Sequence, residues 1–433
     1  MKQMGLQTRD KTGADEVLGV GVPASASSSG AALLQAMVGA ITCMHLIACS
    51  DSDGTSLSGA LSDTGIRGEA LLSIASEVAL PTYEEFLEAA QDLETSTASL
   101  QQAVDASTEE MAEAARNEAQ QAFLDAIAVW QRAELMQFGP AGVMNLTPGG
   151  EDLRDEIYSW PLVNRCVVDQ VLTEQSYANT QLFSVLAINA HGLDVVEYLL
   201  FVDEPESSDN ACDSDDRINR DGLWAALSAA ELRLRRASYA AVEAKRIREY
   251  AETLVERWDP HFLDQLRLAG NQNRVYSTAQ EGLNAISDAL FYLDKESKDM
   301  KLADPSGIST VCPGEICPEL RESDFADQSL AHIEANLQGF RNVFTGSESG
   351  IGFEELLQAE GSNDVASAML EAIDGAIAHV QGLEDSMLLE LQKDPDQVRL
   401  AHSMVQAVTD ELKTRFVTVL DLEIPNRAEG DND

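Results

Sequence analysis

Within residues 184–202, SVLAINAHGLDVVEYLLFV, almost every side chain is apolar except Asn189, His191, Asp194 and Glu197. Read as a helix, this stretch sets Asp194 and Glu197 three positions apart, so both carboxylates share one face about a turn from each other. Burying two like charges is costly unless a metal, a basic side chain, hydrogen-bond donors or a retained proton compensates. Acidic pairs at this spacing also occur on wet faces, so it is the apolar setting that points to a site. His191, one turn earlier, offers an imidazole ligand, or else is simply the residue that starts the helix beside Gly192. A third carboxylate comes from the pattern Phe123, Ile127, Trp130, which lands on Glu134 where an apolar residue is due. Either Glu134 turns inward or that helix end is exposed. Turned inward, three carboxylates could converge on one hard cation, with iron, zinc, calcium and manganese all chemically possible. The sequence has no HExxH, no GxxxxGK[ST] and no GxSxG, so any catalysis would need a less standard arrangement.

The elements that must carry these residues read as helices. The chain has 433 residues, 44% of them hydrophobic and only 6% aromatic, which with abundant Ala, Leu, Glu and Gln favours an all-α fold. Helical patterns cover about 81–104, 107–138, 163–171, 182–202, 221–257, 277–299, 324–343, 364–392 and 396–421. Ser107 and Glu110 have capping-box spacing, and Trp258-Asp259-Pro260 stops the long fifth pattern. Residues 300–322 and 344–362 read as loops. This predicts two tandem helical bundles, 81–260 and 261–426, followed by a disordered tail at 427–433. The net charge of −45 disfavours nucleic acid as a partner; it suits cations, or is a strongly solvated surface.

Residues 31–48 form an apolar stretch of signal-peptide length ending in Leu46-Ile47-Ala48-Cys49, which resembles a bacterial lipobox. Residues 1–48 are therefore expected to be a lipoprotein signal peptide and Cys49 the lipid attachment point, anchoring the protein to a membrane and facing the periplasm. The competing reading is an uncleaved anchor helix. Ser50 resembles an outer-membrane sorting residue. Residues 49–80 are expected to be a flexible tether. Cys43 and Cys49 aside, four cysteines remain for an oxidising compartment; Cys166 with Cys212 and Cys312 with Cys317 is the expected pairing, although three connectivities and free thiols are open.

Several pieces in order along the exported part resemble the imelysin family: Pro81-Thr82-Tyr83, Trp130 to Glu134 with Phe138-Gly139-Pro140, Trp160-Pro161, Gly192 to Phe201, and Asn336 to Phe340 leading to Phe344-Thr345-Gly346. The resemblance implies two packed helical bundles with a site between them, and a GxHxxE motif whose His and Glu are the proposed metal ligands. Here the motif reads Gly192-Leu193-Asp194-Val195-Val196-Glu197, with aspartate in the histidine place. Carboxylates suit iron or calcium, whereas a zinc-hydroxide hydrolase would lose its motif imidazole. The implied functions are a metal-binding envelope lipoprotein of iron uptake or periplasmic metal handling, working with iron-uptake envelope proteins; an imelysin-type metallopeptidase; or a non-catalytic helical scaffold. Asp194 and Glu197 are the expected ligands, with Glu134 and His191 in support, and iron is the expected ion, with zinc or calcium as alternatives.

Overall fold

The computed structural model describes residues 58–106, 108–202, 210–268 and 275–425, with side chains from residue 65. The leader, Cys49, Ser107 and the tail lie outside the described residues. Every regular element among those described is helical. The principal ones are α1 (Ser58–Ser73), α2 (Leu80–Ala106), α3 (Glu109–Ala133), α4 (Leu193–Phe201), α5 (Ala229–Glu256), α6 (Ala279–Leu290), α7 (Ser329–Thr345), α8 (Asn363–Gln381) and α9 (Pro395–Glu411). None of the described helices is long and apolar enough to cross a membrane.

Helices α2, α3, α4 and α5 pack into one bundle; α1, α6, α7, α8 and α9 form the other, with α7 lying against α3 across the junction. Stripes at helical spacing hold each together. On α2 and α3 the buried faces meet at Phe86 and Trp130, whose rings are 4.6 Å apart. Each such side chain contributes about 1.5–3 kcal/mol on burial. Local signals set the ends. Ser228 and Glu231 form a complete capping box on α5, and Thr278 accepts from the Glu281 N–H to start α6. Trp258 closes the first bundle over the second. Its indole packs against Tyr83 and Phe138 and donates to the Ala75 carbonyl at 3.1 Å.

Several expectations are corrected. The span 49–80 is not a free tether throughout, because α1 begins at Ser58 and runs through a π-helical turn, Ile74–Ala79, into α2. Leu71, Ile74 and Val78 are buried at helical spacing, an apolar stripe too short and too early in the chain to stand out. The two bundles are not separate units, since Ser56–Asp433 form one compact unit and α1, from the start of the described chain, packs on α6. Pro260 instead kinks the end of α5, with Asp259 at extended dihedrals, before a short helix Leu263–Arg267 continues. The span 184–202 is α-helical only from Leu193, after a 3-10 turn at Ile188–Ala190; Gly192 at φ +105° separates the two, and Ser184, Val185 and Ala187 are exposed. Residues 293–303, split in the sequence reading between a helix end and a loop, form one π-helical segment.

Candidate metal site

Helix α4 starts where it does because of its first residues. Gly192 holds a backbone conformation that side chains disfavour, and a Cβ there would lie 2.8 Å from Asp194 Oδ1 and 2.9 Å from the Ser159 nitrogen. Its N–H donates to Glu243 Oε1 at 2.7 Å. The motif glycine thus lets the chain pass close to the 158–159 backbone and presents Asp194 in the first helical turn. Gly192→Ala is expected to lower stability by about 1–3 kcal/mol, measured by denaturant unfolding; an unchanged midpoint would refute this role for Gly192.

Asp194 and Glu197 are both buried and line a cavity of about 270 Å³ together with Trp160, Arg165, Arg321, Glu322 and Phe325. Neither has an ion pair among the described residues. Ser159 Oγ lies 3.2 Å from each Asp194 oxygen and 2.8 Å from the His191 carbonyl. A hydroxyl has one proton, so the arrangement is fully satisfied when Ser159 donates to His191 and a protonated Asp194 donates to Ser159. Burial and the neighbouring Glu197 agree with this, pushing the Asp194 carboxyl up to about 8. Burial also raises Glu197, although three donors oppose it: Ser323 Oγ at 2.8 Å, the Phe325 N–H at 3.1 Å and the Ala326 N–H at 2.8 Å, all on Oε1. Its Oε2 accepts from no donor among the described residues.

Glu134 and His191 do turn inward, but to other partners. Glu134 is fully buried on a 3-10 turn, and its two oxygens accept from Arg154 Nε at 3.2 and 3.1 Å while Arg154 Nη2 reaches Oε2 at 2.9 Å. His191 is not on the helix; its Nδ1 is 2.9 Å from Glu243 Oε2, and Glu243 is held in turn by Arg246. The expected four-residue cluster therefore reduces to Asp194 and Glu197. Among the described residues, the only three metal-donor side chains within 4.8 Å of one another are Cys166, Cys212 and Asp216. There the sulfurs are already bonded to each other at 1.98 Å, so they are no metal ligands. Cys312 and Cys317 are bonded likewise.

Behind the cavity lies a buried network that the sequence reading missed. Lys301 Nζ, on the π-helical segment, lies 2.9 Å from Glu322 Oε1 and 2.8 Å from both Gln131 Oε1 and Asn336 Oδ1. Glu322 also accepts from Tyr158 at 2.7 Å and from Gln131 at 3.0 Å, and its Oε2 lies 3.0 Å from His332 Nδ1. Burial alone would raise the Glu322 carboxyl, but Lys301 and His332 overcome it and hold the group well below the usual carboxylate range. Asn336 on α7 donates to the Gln131 carbonyl on α3 at 2.7 Å. Three residues on, Gly339 brings the two backbones together, since a Cβ there would sit 2.3 Å from the Arg132 carbonyl oxygen. The network thus joins both bundles beneath the carboxylate pair.

The sequence profile of the imelysin family matches residues 79–415. Among solved structures, an imelysin-like protein from Psychrobacter arcticum aligns with a TM-score of 0.56 at 15% identity, covering 83% of this chain and 97% of that one. An iron-regulated protein A precursor from Parabacteroides distasonis aligns with a TM-score of 0.60 at 14% identity, covering 83% and 95%. No curated protein matches the sequence.

Proposed function

The chain belongs to the imelysin family, and from that premise we propose that it is an envelope lipoprotein that binds a metal ion, iron by preference, through Asp194 and Glu197 between its two bundles. The observation that carries this reading is the pair itself: two buried carboxylates beside a cavity, with no ion pair to a base among the described residues, one of them with its carboxyl pushed up to about 8 by burial. A cation arriving there takes the place of the retained proton. All-oxygen donors suit a hard ion such as ferric or ferrous iron or calcium. A structural relative described as an iron-regulated protein A precursor agrees with iron. A zinc-hydroxide peptidase fits less well, because aspartate replaces the motif histidine and His191 is committed to Glu243. The lipobox-like ending at Cys49 and the two disulfides support an extracytoplasmic place on a membrane.

Protein purified without chelator should carry iron, and added Fe²⁺, supplied anaerobically, should raise its melting temperature. Asp194→Asn and Glu197→Gln should lose both effects. Because the ion competes with the Asp194 proton, affinity should climb by about tenfold per pH unit up to about pH 8 and level off above. Wild type that holds no metal and gains no stability from iron, calcium or zinc would overturn the proposal.

A further inference from the structure

The same cavity has a positive side. Arg321 is 4% exposed in its side chain, and its one hydrogen bond among the described residues is from Nη2 to Asp324 Oδ1 at 2.7 Å. Its Nε is buried and has no hydrogen-bond partner among the described residues, and the residue lines the cavity. Leaving guanidinium donors unsatisfied in a buried setting is costly, so their persistence calls for an acceptor from outside the chain. Arg165 stands beside it, its guanidinium 4.4 Å over the Phe325 ring and its Nη2 3.2 Å from the other Asp324 oxygen. Asp324 therefore pairs with both arginines, one on each carboxylate oxygen.

A free anion is disfavoured here: Asp194, Glu197 and Glu322 line the cavity, with Asp304 and Glu319 also in its wall. A bare cation on Asp194 and Glu197, conversely, leaves the buried Arg321 Nε–H without an acceptor. A cation that brings its own oxyanion meets both the carboxylate pair and that donor. Resting on the reading above, we infer that the site takes its metal as a complex with a small oxyanion, a carboxylate or carbonate, that bridges from the ion to Arg321 with Arg165 flanking. A guanidinium fork matches the paired oxygens of such a group.

Equilibrium dialysis of the purified chain against Fe²⁺ and labelled oxalate tests this, with iron read by elemental analysis and oxalate by its label. Wild type should retain both in equal amounts, and should retain no oxalate when iron is left out. Arg321→Gln should keep iron while its oxalate affinity falls on the order of tenfold or more; Arg165→Gln, at a more exposed position, should give a smaller fall in the same direction. Iron retained without oxalate in wild type, or oxalate held as tightly by Arg321→Gln, would overturn the inference while leaving the metal site standing. Loss of iron under every condition would remove the metal reading and this one with it.

Discussion

Glu322→Ala should destabilise the protein by about 3–5 kcal/mol, because it strands a fully buried Lys301 ammonium whose ion partner it is. Burial already pulls the lysine down from its ordinary value, with the Glu322 and Glu134 charges opposing that pull. Removing Glu322 takes away the nearer of them, and also leaves Tyr158 and His332 Nδ1 without their acceptor. Replacing both ends of the pair, as in Lys301→Met with Glu322→Leu, should cost much less, since the desolvation of two charges disappears along with their attraction. Denaturant unfolding of the two variants is the comparison. A Glu322→Ala midpoint like that of wild type, or a double variant worse than the single, would show that the ion pair is not what fastens this junction.

The second large effect concerns pH. In the unfolded chain Asp194 loses its proton near pH 3.9, whereas in the folded protein it keeps it to about 8. Between those values the folded state binds more protons than the unfolded one. Stability from this group is therefore complete below about pH 4, declines as pH rises, and reaches its floor above about pH 8. At pH 7 the loss is on the order of 4 kcal/mol. Asp194→Asn escapes it, so the metal-free variant should melt well above metal-free wild type at pH 8 and close to it at pH 4. Thermal melts in chelator across that range provide the check; a difference that does not change with pH would mean that Asp194 is ionised in the fold like any surface carboxylate. The residue is thus expected to sacrifice stability at neutral pH unless an ion is bound.

Much of this was legible in the sequence, and the gaps have physical causes. Asp194 and Glu197 stood out because a polar residue in an apolar run is informative whatever the exact helix limits. Glu134 was correctly placed on a buried face by the 3.6-residue stripe, but its partner Arg154 lies in a short helix after a loop, where no periodicity links the two. Treating Glu134 as a metal ligand therefore failed for want of a visible cation. Glu322 was missed because it sits in an irregular stretch after Pro318. Lys301 was missed because its helix is wound as a π-helix, which shifts the phase at which side chains return to the core. His332 and Asn336 sit one turn apart on α7, and the family resemblance drew attention to the second without giving the reason, which is its grip on Gln131.

The placement of α1 also bears on how the chain is made. Its buried face is covered by elements far along the sequence: Leu71 lies so near Gly282 that a Cβ there would come within 2.6 Å of the leucine methyl. The first described helix thus waits in synthesis for one of the later ones. Until some two hundred further residues have followed, Leu71 lacks this native cover, and loop closure over that span makes its docking slow. A chain made from its N-terminus must then carry an uncovered apolar segment while about half of its length follows, a demand that falls on holding chaperones rather than on the finished fold.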